Sequence, residues 1–105
     1  MLKIIPSFEL TEQFAAEAGQ LFRILSDAER WPEGSIARVL VVREPGYVQL
    51  AFLDRSRARV EVTSLGIGLC QVKIDHELLP DAEAVVAQKK AWQQYFKQLR
   101  SQVER

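Results

Sequence analysis

The residue with the clearest chemical potential is His76, the single histidine of the sequence. It falls on the apolar side of an alternating segment, Cys70 to Leu78, whereas its neighbours Asp75 and Glu77 point to the opposite side. A catalytic histidine needs a carboxylate or a nucleophile within hydrogen-bond reach on its own side. The pattern therefore favours a structural histidine with satisfied hydrogen bonds over a catalytic one.

A cysteine and a pair of glycines do not complete a site either. Cys70 precedes His76 by six residues of extended strand, a separation of about 20 Å at ~3.3 Å per residue. One cysteine and one histidine also fall short of a zinc site, which takes three or four protein ligands. Gly66 and Gly68 join two predicted strands, and no helix N-terminus follows them to bind a phosphate. We expect neither a metal nor another cofactor.

The charge balance argues against several classes of partner. Fourteen basic and fourteen acidic residues cancel, so no overall field favours nucleic acid or an anionic membrane. Arg55 and Arg57 form a small basic turn, but no clustered aromatic residues accompany it. No apolar run is long enough to span a bilayer. With one cysteine and no signal pattern, we expect a single cytoplasmic domain, residues 1–105.

The element that must cover the last strand is a long C-terminal helix, predicted from Pro80 to Val103. Asp81 is placed to cap its first turn, and no further proline or glycine interrupts it. Five apolar side chains lie on one stripe at helical spacing: Val85, Trp92, Phe96, Leu99 and Val103. We expect Trp92 and Phe96 to be core residues; the alternative is that they line a ligand cavity.

Four segments separated by turns predict an antiparallel meander. They are Ile36 to Arg43, Tyr47 to Leu53, Ala58 to Thr63 and Cys70 to Leu78. The last two alternate between apolar and polar residues, so one face of the sheet is exposed and the other is covered. The charged residues of the exposed face, which we expect to form cross-strand ion pairs, are Arg59, Glu61, Lys73, Asp75 and Glu77.

The segments before the meander predict a strand and a helix. Met1 to Leu10 is apolar and is interrupted by Pro6, which predicts a short strand at a sheet edge. From there the period becomes helical, which predicts an amphipathic helix from Glu12 to Leu25 with Thr11 as its cap. The apolar face of this helix consists of Phe14, Ala18, Leu21, Phe22 and Leu25.

A second, short helical turn is predicted next. Ser26 to Glu29 has the form of a capping box, and Pro32 and Gly34 end the turn, with Trp31 packed inward. The expected fold class is therefore α+β. An antiparallel sheet of four or five strands is covered on a single face by a short helix pair and one long C-terminal helix.

Several of these segments, taken in order, resemble the START-like helix-grip superfamily (SRPBCC), in the branch related to the activator of the heat-shock-protein-90 ATPase. The segments similar to that family are Phe22 to Trp31 (paired short helices), Asp54 to Val62 (turn and strand), Gly66 (glycine turn), Val72 to Asp81 (last strand), and Lys90-Ala91-Trp92 with Leu99 (closing helix). The run H-E-L-L-P-D from His76 matches the family's H-E-x-L-P-D exit.

The chain also departs from the family. Arg55 stands where the family has glycine, and Leu65 and Leu69 stand where it has lysines. Only Pro32 to Ser35 separates the short helices from the sheet, where the fuller fold inserts additional strands. The resemblance therefore implies a shortened helix grip.

The resemblance implies a non-enzymatic binding domain that takes an apolar small molecule or a protein partner between the long helix and the sheet, with a cochaperone- or stress-related role. The alternative is a cyclase- or hydrolase-type enzyme of the same superfamily that uses His76. The candidate ligand-binding residues are Phe22, Trp31, Leu50, Phe52, Val60, Val62, Val72, Ile74, His76, Trp92 and Phe96.

The missing strands also bear on assembly. Because they would flank Ile36 to Arg43, we expect the outer edge of that strand to be open. Val39 to Val42 are apolar, with no proline or charge among them to block edge pairing. The sequence thus predicts a homodimer, formed by edge pairing or by face-to-face packing of two sheets. The alternative is a monomer in which Met1 to Leu10 covers this edge.

Overall fold

The computed structural model describes residues 6–31 and 36–104. In chain order the elements are β1 (Phe8–Phe14), α1 (Ala18–Leu25), a 3₁₀ turn (Ala28–Arg30), β2 (Arg38–Arg43), β3 (Tyr47–Ala51), β4 (Arg57–Gly66), β5 (Leu69–Glu77) and α2 (Ala82–Val103). The strands form one antiparallel sheet in the order β1-β5-β4-β3-β2. The predicted α+β class with a long C-terminal helix is confirmed. None of the helices in these ranges is long and apolar enough to cross a membrane.

The largest correction concerns β1, because residues predicted as the start of a helix are part of this strand. Phe8 and Phe14 are both buried and, being six residues apart, lie on the same face of the strand. Pairing with β5 places Phe8 opposite His76 and Phe14 opposite Cys70, and this tertiary pairing overrides the helical spacing of Phe14.

Helix α1 consequently starts later than predicted. Its N-cap is Glu17, whose side chain makes no capping hydrogen bond, and Thr11 belongs to β1. In the following 3₁₀ turn the cap is Asp27, whose carboxylate accepts from the Glu29 amide at 3.0 Å, and Ser26 does not cap it. The rest of the predicted first strand, residues 1–5, and the predicted helix-ending residues Pro32 and Gly34 lie outside the described residues.

Two leucines at strand ends differ from the predicted pattern. Leu53 lies in the turn after β3 and is exposed. Leu78, predicted to face the core, is exposed and has φ 61°, because β5 ends at Glu77. The next residue, Leu79, is buried instead, and its amide donates to the Pro6 carbonyl at 3.2 Å.

Helix α2 follows the sequence prediction closely. The carboxylate of Asp81 accepts a hydrogen bond from the Ala84 amide at 2.8 Å, as an N-cap does. The buried side chains of the helix are Trp92, Tyr95, Phe96 and Leu99, with Val85 and Val103 partly buried against the core. Near its C-terminus Arg100 forms an ion pair with Glu12 of β1, which fixes the helix across that edge of the sheet.

A glycine in the β2–β3 turn is sterically required. A Cβ on Gly46 would overlap the carbonyl oxygen of Val62, while the Gly46 carbonyl accepts from the Val62 amide at 2.7 Å. We expect Gly46→Ala to lower the free energy of unfolding by about 1–3 kcal/mol, because either this turn or strand β4 must shift to make room for the added Cβ. Urea denaturation measures this. Gly19→Ala is the control, because within the described residues no atom beyond its chain neighbours and the nearby helix backbone lies within 4 Å of its Cβ position, and alanine favours the helix there. Equal stability of the two variants would contradict the prediction.

Candidate functional site

The structure buries every residue that the sequence predicts to bind a ligand. The set comprises Phe22, Trp31, Leu50, Phe52, Val60, Val62, Val72, Ile74, His76, Trp92 and Phe96. Cross-strand register sets Leu50 and His76 in one row, and Val60 and Ile74 in the next row along the sheet. The side chains that meet around His76 come from the sheet, the β3–β4 turn and α2.

His76 is fully buried and hydrogen-bonded through both ring nitrogens. The indole Nε1 of Trp92 donates to Nδ1 at 3.0 Å, and Nε2 lies 2.7 Å from the hydroxyl of Ser56. The rings of Phe8 and Phe52 pack on the imidazole with centroid separations of 5.1 Å and 4.5 Å. This confirms the expectation of a buried histidine whose hydrogen bonds are satisfied.

These partners determine where the proton of His76 lies. An indole N–H only donates, so Nδ1 must accept and carries no proton in the neutral ring. The proton then sits on Nε2 and is donated to the Ser56 oxygen, which donates its own hydrogen to Asp54. The direction of donation is Trp92 to His76 to Ser56 to Asp54. A nucleophilic serine needs the opposite arrangement, in which Nε2 accepts the hydroxyl proton and a carboxylate holds Nδ1–H.

The electrostatics agree with a neutral ring. Burial lowers the pKa of His76 to about 4, although the charge of Asp54 acts in the opposite direction. For Asp54 itself burial favours a higher pKa. Hydrogen bonds from Ser56 and Gln88 outweigh this effect and hold the pKa of the Asp54 carboxyl below its ordinary value. The hydroxyl group of Ser56 thus connects a neutral His76 to an ionised Asp54 by hydrogen bonds to both side chains.

Ser56 and Asp54 were not among the predicted site residues, because both lie in the turn between β3 and β4. The alternation of a strand predicts which side chains point inward only within the strand. It therefore could not predict that Ser56, in a turn, is fully buried. The remaining signal was the sequence D-R-S, in which an Asp side chain accepts from the amide two residues later, here at 2.9 Å.

An aromatic cluster surrounds Trp92 between α2 and the sheet. Its ring-centroid separations are 5.4 Å to Trp31, 5.7 Å to Phe96 and 6.0 Å to Phe52. Trp31 also stacks on Tyr95 at 4.2 Å and donates its indole N–H to the Leu25 carbonyl. The space between α2 and the sheet that was predicted to hold a ligand is therefore filled by aromatic side chains of the protein itself.

Tyr95 belongs to this cluster and was not predicted. Its hydroxyl is buried and has no hydrogen-bond partner among the described residues, and burial raises the pKa of the phenol. A buried unsatisfied hydroxyl costs about 1–3 kcal/mol. The sequence signal for it was its position three residues after Trp92 and one before Phe96, on the same stripe.

Neither Cys70 nor the exposed face of the sheet provides a hydrogen-bond partner for the His76 side chain, whose partners are Ser56 and Trp92. Cys70 is fully buried at the opposite end of β5, and burial raises the pKa of its thiol. On the exposed face Arg59 and Glu77 form the predicted cross-strand ion pair at 3.3 Å, beside an open groove of about 550 Å³. No cluster of three potential metal ligands occurs within residues 6–31 and 36–104.

The turn that carries Ser56 is strained at Arg55, which has φ 72°. At this position the family that the sequence resembles has glycine. We expect Arg55→Gly to raise the free energy of unfolding by about 0.5–1 kcal/mol, because the cost of a left-handed non-glycine residue exceeds the added entropy of the unfolded chain. Urea denaturation measures the change, with Arg57→Gly in β4 as the destabilising control. Loss of stability in both variants would contradict the prediction.

Comparisons with known proteins bear on the fold. No protein-family model and no curated protein sequence matches this chain. Three solved structures are similar: an HSP90 activator from Plasmodium falciparum (20% identity, TM-score 0.68), a START superfamily protein from Mycobacterium smegmatis (16%, 0.62) and an AHSA1-like protein from Rhizobium etli (22%, 0.64). The matches cover 84%, 93% and 95% of this chain, and 88%, 97% and 84% of those chains. With its five-stranded antiparallel sheet closed by a long C-terminal helix, the chain shares the fold of these three structures, the helix-grip fold that the sequence resemblance predicts.

Proposed function

We propose that this chain is a non-enzymatic binding domain and that its partner is a protein. The observation that carries this proposal is the packing between α2 and the sheet. There the rings of Trp31, Phe52, Trp92 and Phe96 contact one another and are buried. An apolar ligand at that place would have to displace side chains that hold the core together, whereas a protein partner can bind the surface and leave the core intact.

The kind of protein is suggested by one structural neighbour, an HSP90 activator. The proposed partner is accordingly a chaperone ATPase of the HSP90 type, which gives this chain a cochaperone role. Isothermal titration calorimetry and ATP-hydrolysis rates with the HSP90-type chaperone of the same organism test this. We expect saturable binding and a severalfold faster hydrolysis. No binding at concentrations up to about 100 µM, which corresponds to less than about 5.5 kcal/mol, contradicts the proposal.

One observation favours a second candidate, an apolar small molecule between α2 and the sheet. The buried hydroxyl of Tyr95 has no partner among the described residues, so a ligand carrying an acceptor group would satisfy it. Native mass spectrometry of the purified chain shows whether a small molecule co-purifies. Its loss in Tyr95→Phe, with unchanged stability, would support this candidate over a protein partner.

The alternative of a cyclase or hydrolase that uses His76 finds little chemical support. Nε2 carries the proton of the neutral imidazole and so cannot accept a proton from Ser56, and both side chains are fully buried. We therefore propose that His76→Gln disturbs stability more than any activity. A substrate whose turnover disappears in His76→Gln, while the fold stays intact, would overturn the non-enzymatic proposal.

The homodimer stays a prediction. Strand β2 ends the sheet, as expected, but the predicted monomer alternative differs from the structure, because Phe8–Leu10 pairs with β5 at the opposite edge. Residues 1–5 of that segment are outside the described ranges. Sedimentation velocity across micromolar concentrations decides the oligomeric state. A species of 12.0 kDa that persists as concentration rises would show that the chain is a monomer.

A further inference from the structure

Strand β2 is one of the two edge strands of the sheet in the described residues, the other being β1. Strand β2 pairs with β3 alone, and no other strand of residues 6–31 and 36–104 lies beyond it. An unpaired edge presents a row of amide and carbonyl groups that can accept another strand. The question is which kind of strand this edge fits.

The side chains of β2 show that the sheet has room for one more strand. Val42 pairs with Val48 and therefore lies on the core-facing side of the sheet, yet Val42 is 49% exposed while Val48 is fully buried. The helices contact chiefly β1 and β3 to β5, so they do not cover Val42. An added strand with an apolar residue beside Val42 would bury it and extend the core.

The charged residues of β2 indicate which residue types suit the two ends of an added strand. Arg38 and Arg43 are exposed at its two ends, and the four residues between them are uncharged. The guanidinium group of Arg43 lies 5.7 Å from the ring centre of Tyr47, its cross-strand partner in β3. This contact holds the Arg43 side chain along the sheet. Carboxylates opposite these two arginines would form cross-strand ion pairs.

We propose that the edge of β2 binds an extended segment of a protein partner that has an apolar centre and an acidic residue at each end. The segment adds a sixth strand by main-chain hydrogen bonds, and its side chain beside Val42 faces the core. Because of the bulge between Val39 and Val41, Arg38 and Arg43 point to the same face and lie opposite residues four apart in β3, so the bound segment is short, about five residues. This inference rests on the proposed protein-binding function and assigns it a surface.

A second copy of this chain fits the same edge less well. Antiparallel pairing about the middle of β2 sets each Arg38 opposite an Arg43, and like charges that face each other across a strand pair are destabilising. The bulge further shortens the regular pairing between two such strands. The arginines thus oppose self-pairing at this edge and favour a partner that carries carboxylates, which leaves face-to-face packing of two sheets as the arrangement of the predicted homodimer.

The test uses a synthetic peptide of alternating valine and threonine with an aspartate at each end, and a control peptide with lysines at the ends. Calorimetry and amide chemical shifts measure binding to the full chain. We expect the acidic peptide to bind with shifts at Arg38–Arg43 and the lysine peptide to bind at least tenfold more weakly. The double variant Arg38→Glu/Arg43→Glu should reverse this preference, since its carboxylates would then face the lysines of the control peptide. The matched control reverses two exposed charges on the helices, Arg23→Glu/Lys97→Glu, and should behave as the unmodified chain.

Each other outcome overturns the proposal. These outcomes are equal binding of both peptides, no binding of either, shifts that map away from β2, or an unchanged preference in the double variant. A dimer whose β2 amides are protected from hydrogen exchange, and lose that protection on dilution, would assign the edge to a second copy instead. If the chaperone assay fails while the peptide result holds, only the identity of the partner is lost. If the peptides fail while the chaperone still binds, only the β2 surface is wrong.

Discussion

Replacing Trp92 by alanine is expected to lower the free energy of unfolding by about 3–5 kcal/mol, as at other buried aromatic residues. Trp92 is 2% exposed and lies at the centre of the aromatic cluster, in contact with Trp31, Phe52 and Phe96. Alanine would leave a cavity that these rings cannot all close. It would also remove the donor to His76 Nδ1, and a buried acceptor left unsatisfied adds about 1–3 kcal/mol.

Urea denaturation followed by circular dichroism measures this loss. Trp92→Phe separates the two contributions, because it keeps most of the apolar volume and removes only the indole donor. Val86→Ala, on the same helix and 67% exposed, is the matched control and should change stability by less than about 0.5 kcal/mol. A loss below about 1 kcal/mol for Trp92→Ala would mean that the side chain is not packed as described.

Trp92 could be identified from the sequence because α2 follows simple rules. An aspartate cap, an unbroken run without proline or glycine and one apolar stripe define the helix, and the structure has each of them. The alternation of β4 and β5 was equally informative, since Val60, Val62, Val72 and Ile74 are all buried. In these elements local periodicity and tertiary burial agree.

The N-terminal region could not be read in the same way. Phe14 satisfies both a helical stripe and a strand alternation, and only its pairing with β5 decides between them. Local sequence does not contain that long-range contact. The same limit applies to Leu78, where the positive φ that turns the chain at the end of β5 has no signature in leucine.

The candidate site was predictable in its apolar part and not in its polar part. The alternation placed His76 on the covered face of the sheet and the stripe placed Trp92 on the helix that covers it, but the partner on Nε2 comes from a turn. Whether Ser56 points inward depends on the backbone at Arg55, which adopts a left-handed conformation against the preference of its residue type. The sequence therefore predicted that the hydrogen bonds of His76 are satisfied, but not that Ser56 and Asp54 take part in them.

The second large effect is a loss of stability in acid that originates at His76. Burial lowers the pKa of His76 in the folded chain from its ordinary 6.5 to about 4. Below pH 6.5 the unfolded chain binds a proton at this residue while the folded chain does not, so the equilibrium shifts toward the unfolded state as the pH falls. The stability is fully present above pH 6.5 and is lost progressively down to about pH 4.

The expected size is about 2 kcal/mol between pH 7 and pH 5, and about 3 kcal/mol by pH 4. Asp54 contributes in a lower window, because its pKa in the folded chain lies below the ordinary 3.8 and its stabilisation is lost only as the pH falls through that range. Between pH 7 and pH 5 the change in the free energy of unfolding therefore reports the titration of His76 and not that of Asp54.

The decisive comparison is urea denaturation of the unmodified chain and His76→Gln at pH 7 and at pH 5. A glutamine amide can donate to Ser56 and accept from Trp92, so the variant can keep both hydrogen bonds while it loses the titrating group. We expect the variant to be less stable at pH 7, because it loses the packing of Phe8 and Phe52 on the imidazole. Its stability should nevertheless stay nearly constant down to pH 5, where the unmodified chain has lost about 2 kcal/mol. An equal fall in both proteins would place the acid sensitivity elsewhere, and a flat profile in both would mean that His76 is accessible to protons in the folded chain.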